Sequence, residues 1–205
     1  MMQSIEQKRG PMTAFIADRS ALETSIRDSA RTVESLLAEA GRIAAIGEAL
    51  VTALRAGNKV LTAGNGGSAA EALHMAEELV GRFKANRVSL PAVSLAADCT
   101  ALTCIGNDYG YDEVFRRQIE GLGKAGDVLV LFSTSGNAQN LSLALQEGRR
   151  KGLVVVALLG RDGGKLAGKA DREIVVRSQE TARIQEAHQV ILHLVLEIVE
   201  AAFAR

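Results

Sequence analysis

The chain has 205 residues, enough for one α/β domain with a sizeable core, and its 24 Lys and Arg balance 24 Asp and Glu. That balance excludes a broadly basic or acidic surface, so nucleic acid and anionic membranes are not the expected partners and any anion site must be local. No apolar run reaches the ~18 residues of a membrane helix, and the start of the chain lacks the apolar segment of a signal peptide, which points to the cytoplasm.

Residues 1–11 are polar, close on Gly10-Pro11 and read as a flexible leader. Residues 12–56 carry a helical period in Ile16, Leu22, Ile26, Val33, Leu36, Leu37, Ile43, Ile46, Leu50 and Leu54. Gly41 or Gly47 is the expected break, giving two helices that form an N-terminal arm on the core or on another subunit. Gly57-Asn58 ends the arm. From Lys59 onward strands predicted at 59–63, 91–95, 128–132, 153–159 and 173–176 alternate with helical segments near 68–84, 99–105, 111–121 and 138–151. The runs at 128–132 and 153–159 are continuously apolar, as strands covered on both faces are. The expectation is a single domain over 12–205, with a parallel five-stranded sheet flanked by helices. Ligands in such sheets bind beyond the carboxyl ends of the strands, which gathers the loops 64–68, 96–108, 133–137 and 160–164. The last segment, 182–203, is a long helix apolar on more than one face and points to a homo-oligomer. Cys99 and Cys104 make no disulfide framework, match no metal spacing and read as small core residues.

Two loops carry candidate chemistry. Gly64-Asn65-Gly66-Gly67-Ser68 follows a strand and opens a helix for which Ser68 is the expected N-cap, so free N–H groups face an anion. It is not a dinucleotide fingerprint, because Ala69 holds the last glycine position, and no Gly-Lys-Ser/Thr makes it a nucleotide P-loop. Ser133-Thr134-Ser135-Gly136-Asn137 adds three hydroxyls after another strand and makes a neutral phosphate cradle. On the first helix His74 and Glu78 share a face, and on the last helix Gln185 and His193 lean toward one neighbour. Two imidazoles, a carboxylate and an amide suit a divalent metal such as zinc. His188 competes with the other helix positions, and periodicity does not choose between them.

Five blocks in register resemble the sugar isomerase (SIS) domain family and, within it, the phosphoheptose isomerases. They are Gly64-Asn65-Gly66-Gly67-Ser68, Ile105-Gly106-Asn107-Asp108-Tyr109-Gly110, Ser133-Thr134-Ser135-Gly136-Asn137, Gly160-Arg161-Asp162-Gly163-Gly164 and Arg183-Ile184-Gln185-Glu186-Ala187-His188. The resemblance implies a flavodoxin-like three-layer sandwich and a cytoplasmic homotetramer with sites at subunit interfaces. The reaction it implies converts sedoheptulose 7-phosphate to D-glycero-D-manno-heptose 7-phosphate, the first step toward lipopolysaccharide heptose. It places one zinc per subunit on His74, Glu78, Gln185 and His193, and not on His188. It places substrate contacts on Asn65, Gly66, Gly67, Ser68, Glu78, Asn107, Asp108, Ser133, Thr134, Ser135 and Gln185, with Glu78 and His193 as the catalytic acid/base pair. A glutamate held tightly by zinc is a weaker base, so ligand exchange on substrate binding is expected. Ala138 stands where the family often has a phosphate-binding serine, and Ala182 where it often has Asp. The competing reading is a non-catalytic SIS-fold partner of the replication initiator.

Overall fold

The computed structural model describes residues 18–204; the predicted leader and the first residues of the arm lie outside them. Five strands form one wholly parallel sheet: β1 (Val60–Gly64), β2 (Ala92–Ser94), β3 (Val128–Ser133), β4 (Val154–Gly160) and β5 (Arg172–Val176), in the order β2-β1-β3-β4-β5. Because side chains alternate across a strand, each central strand feeds two cores. Val60, Val128, Val130, Phe132, Val156 and Leu158 face one way; Leu61, Ala63, Leu129, Leu131, Val155 and Ala157 face the other. The first face is covered by α2 (Ala40–Arg55), α3 (Gly67–Val80) and α7 (Thr181–Phe203). The second is covered by α5 (Arg116–Leu122) and α6 (Gln139–Arg150), with α4 (Cys99–Tyr109) at its margin. Such double cover is the reason these strands read as unbroken apolar runs.

The chain leaves β1 toward one edge of the sheet and returns to β3 on its other side, so the direction of winding reverses between β1 and β3. A crevice opens at such a reversal, above the carboxyl ends of both strands. The loops that end in Ser68 and Ser135 flank it.

The arm differs from expectation in one respect. Its break is neither Gly41 nor Gly47 but a 3-10 turn at Ser35–Glu39, between α1 (Arg19–Glu34) and α2. The turn buries Leu36 and leaves Leu37 77% exposed. Gly47 has a packing role instead: a Cβ there would lie 2.8 Å from Ile198 on α7. No residue of α1 is buried. Cys99 and Cys104, expected in the core, are exposed on α4, no residue of which is buried among the described residues. Helix α7 is apolar on several faces because α2, α3 and the sheet all pack on it, leaving Leu194 at the surface. Among the described residues no helix is long and apolar enough to cross a membrane.

One buried carboxylate ties the amino ends of the two central strands. Asp127 accepts from the Lys59 N–H at 2.9 Å and the Lys124 N–H at 2.8 Å, and its second oxygen also meets Lys59 Nζ. Burial pushes the Asp127 carboxyl upward, but the Lys59 side chain and these N–H donors outweigh it and hold the group below the usual carboxylate value. Its stabilising contribution is therefore full above the unfolded-state value and disappears as pH falls through the lowered folded one. Asp127→Asn should cost about 1.5–3 kcal/mol near neutral pH by urea denaturation, with the gap to wild type closing in acid.

Candidate active site

At the end of β1 the backbone turns sharply at Gly66, whose φ of 58° is costly for a residue with a side chain. Helix α3 thus begins at Gly67 with Gly66 at the cap position, and no side chain caps it. Ser68 is not the N-cap predicted from sequence; it sits inside the first turn, buried. The turn is compact because Gly64 lacks a side chain: a Cβ there would meet the Ser68 carbonyl at 2.3 Å. A small cavity of about 90 Å³ lies between this turn and the loop after β3, lined by Asn65, Ser68, Ser133, Thr134, Ser135 and Ala138 among others.

The hydroxyls around this cavity are oriented. Ser133 Oγ accepts from the Gly136 N–H at 3.0 Å, and Ser135 Oγ from the Asn137 N–H at 3.3 Å. Each hydroxyl that accepts from backbone keeps its own hydrogen for a ligand. The hydroxyls of Ser68 and Thr134 have no partner among the described residues. Asn65 spends its side chain on a reciprocal pair with Asn140, at 2.9 Å in each direction, and accepts from Tyr111 at 3.1 Å. The loop 160–164 does not line the cavity; it braces it. Gly136 (φ 62°) packs so closely that a Cβ would lie 1.9 Å from the Gly163 carbonyl, and the Leu166 N–H donates to the Gly136 carbonyl. Asn107 and Asp108 are exposed near the end of α4, where Asn107 donates to Asp108 at 2.7 Å. Neither lines the cavity within this chain.

Helix α7 runs along α3 and meets it at three levels. At the cradle, the Gln185 amide fills the space that Gly67 leaves open; a Cβ on Gly67 would lie 2.2 Å from Gln185 Nε2. One turn on, Glu71 faces His188, with Nδ1 and Oε2 3.8 Å apart. At the third level His74 and His193 meet edge to face, ring centroids 5.2 Å apart. His74 Nε2 lies 3.2 Å from Glu78 Oε1, and the Gln189 amide touches His74 Nδ1 and lies 3.3 Å from His193 Nε2. Phe83 stacks on His193 at 5.5 Å. Burial first, and then His74, draw the His193 imidazole below the usual histidine value against the pull of Glu78 and Glu197. A neutral imidazole keeps a lone pair for a proton or a cation. His74, Glu77 and Glu78 offer ligand atoms all within 4.8 Å of one another.

The structure therefore joins His74, Glu78 and His193 in one cluster and puts Gln185 at the cradle side of the same helix seam. His188 is removed from candidacy as a ligand: it is fully buried, and its Nε2–H is in place to donate to the Leu159 carbonyl at 3.1 Å. Sequence reasoning missed Glu71, Gln189 and Arg87. Gln189 was signalled by the four-residue rhythm of 185, 189 and 193 on one helix face. Arg87 follows the end of α3 by seven residues in a loop without periodic pattern; its buried guanidinium caps the helix by donating to the carbonyls of Glu78 and Leu79, and it also donates to the Val88 carbonyl.

This arrangement has counterparts among known proteins. Residues 25–160 match the family model of the SIS domain. The phosphoheptose isomerase of Geobacter sulfurreducens is 49% identical over 180 residues, which is 87% of this chain and 95% of that relative. The phosphoheptose isomerase of Sulfurimonas denitrificans is 44% identical over 189 residues, 92% of this chain and 95% of its own length. Among solved structures, the phosphoheptose isomerase of Neisseria gonorrhoeae superposes with a TM-score of 0.81 at 38% identity, covering 93% of this chain and 99% of that one. The chain belongs to the SIS domain family and, within it, to the phosphoheptose isomerases.

Two glycines separate fold from site. Gly136→Ala meets a backbone carbonyl at a left-handed position and should destabilise the protein by about 1–3 kcal/mol in chemical denaturation. Gly67→Ala meets only the tip of the Gln185 side chain, so its melting temperature should stay near wild type while phosphosugar binding, measured by calorimetry, weakens.

Proposed function

We propose that this protein converts D-sedoheptulose 7-phosphate to D-glycero-D-manno-heptose 7-phosphate through an enediol. The observation that carries the reading is the close match to phosphoheptose isomerases over nearly their whole length, in a chain that gathers His74, Glu78 and His193 beside a hydroxyl cradle. The cradle of Ser68, Ser133, Thr134 and Ser135, with the N–H groups of Asn65, Gly66 and Gly67, holds the phosphate. It does so without a basic patch, by hydroxyls and a helix N-terminus. Asn107 and Asp108 bind sugar hydroxyls, and because they stand away from the cavity in one chain, they complete a site shared between subunits.

Isomerisation needs a proton moved from C1 of the ketose to C2, and a hydroxyl proton moved from O1 to O2. Glu78 takes the C1 proton and returns it to C2. His193, neutral at physiological pH, carries the proton between the oxygens. The donor set of His74, Glu78, Gln185 and His193 fits zinc by its chemistry: two imidazoles, a carboxylate and an amide, with His74 beside both Glu78 and His193. Zinc bound there supplies a Lewis acid that stabilises negative charge on the carbonyl oxygen. Arg87 anchors the α3 terminus from which Glu78 projects, so the base is held by a fixed backbone.

The assembly is a homo-oligomer, a tetramer by family resemblance, in the cytoplasm. Its support is the apolar surface that one chain leaves open: Leu37 is 77% exposed and lines a groove of about 530 Å³ between the arm and α7, and Ile26 on α1 is 68% exposed. The non-catalytic reading as a partner of the replication initiator gains no favouring observation, since the acid/base side chains are present and clustered.

Purified protein supplied with sedoheptulose 7-phosphate should form the aldoheptose phosphate; a folded, zinc-loaded oligomer that does not would overturn the reading. Glu78→Gln should lower kcat by about 10²–10⁴-fold with the fold intact by circular dichroism. His193→Gln should lower kcat more than it raises KM. Chelation should abolish turnover and zinc restore it, whereas turnover surviving complete metal removal would discard the metal's role and keep the isomerase.

A further inference from the structure

The two ring nitrogens of His74 face different partners. Nε2 faces the Glu78 carboxylate at 3.2 Å, and Nδ1 is in contact with the amide of Gln189. The same amide lies 3.3 Å from His193 Nε2, so Gln189 stands at the junction of both imidazoles. Gln185, one turn earlier, is engaged against Gly67 at the cradle and does not take this place.

An imidazole binds a cation through a nitrogen that carries no proton, and its other nitrogen then carries the N–H, which needs an acceptor. Nε2 shares its side of the ring with the Glu78 carboxylate, so a cation on that side finds two ligands at once. Nδ1 must then be protonated. The group beside it is the Gln189 amide, and a half-turn of its terminal torsion exchanges N–H for C=O at the same position. The orientation seen here matches the opposite tautomer, in which Nε2–H donates to Glu78 and Nδ1 accepts from the amide N–H. An amide serves both tautomers by turning over; an aliphatic side chain would serve neither.

We propose that Gln189 is a positioning residue that sets the His74 tautomer for a divalent metal, its amide oxygen accepting Nδ1–H while His74 Nε2 and Glu78 hold the cation. The inference rests on the zinc reading above and assigns a role that the ligand set His74, Glu78, Gln185 and His193 does not include.

The test is zinc affinity, measured by competition with a chromophoric chelator, on the full-length protein. Wild type is titrated first: no zinc uptake there overturns the metal reading itself, and this inference with it. With wild type binding, Gln189→Leu should weaken zinc by about 10–100-fold, the usual effect of losing such a partner. Gln189→Glu, which keeps an acceptor, should stay close to wild type. Melting curves of the metal-free variants establish that both fold. A second readout needs no variant: in zinc-loaded wild type labelled with ¹⁵N-histidine, His74 should carry its proton on Nδ1. Affinity unchanged in Gln189→Leu, or zinc seated on Nδ1 of His74, overturns the proposal.

Discussion

The site depends on how α7 lies along α3. The two helices meet over three successive turns, Gly67 against Gln185, Glu71 against His188, and His74 against Gln189 and His193. The first contact exists because Gly67 has no side chain; the last brings together two imidazoles from segments more than a hundred residues apart in sequence. The middle contact fixes depth, since His188 reaches through to the Leu159 carbonyl on β4 and so registers α7 against the sheet as well as against α3. Glu71 and His188 are both buried, and among the described residues neither Glu71 oxygen nor His188 Nδ1 has a hydrogen-bond partner. Leaving such groups unpaired is costly, which marks this seam as a place where polar chemistry takes precedence over packing.

The seam also gives one small domain two dissimilar polar ends. Helix α3 starts at the cradle and runs away from it, so Gly67 and Glu78 are separated by about three turns, on the order of 16 Å of rise. The cradle end offers backbone N–H groups and hydroxyls, which recognise a phosphate by geometry. The far end offers titratable groups. Between them the sheet contributes only its apolar edge and the rigidity of strands buried on both faces.

Much of this was legible in the sequence. The apolar strands declared themselves by composition, and all five lie within a residue or two of expectation, because burial on both faces leaves little freedom in residue type. The hydroxyl loop and the His74/Glu78 pair followed from spacing within single elements. The misreadings share a cause. Ser68 has the chemistry of a cap, but the positive φ of Gly66 starts the helix before Ser68 is reached. The arm breaks at Ser35–Glu39, where no glycine signals it, because burying Leu36 against the core outweighs local propensity. Gln185 and Gln189 share a helix face, and only the position of α3 decides which amide meets His74. Asn107 and Asp108 stand apart from the cavity, exposed near the end of α4, a placement that their spacing from the strand ends did not reveal.

Ala138 gives the cradle one more property. It occupies the cap position of α6, where no side chain satisfies the first-turn N–H groups. Ala138 and Leu141 line the same cavity as Ser133 and Thr134. A phosphate seated there would itself supply the missing cap. Such a ligand would stabilise the fold as well as occupy the site, and its binding would read as a rise in melting temperature.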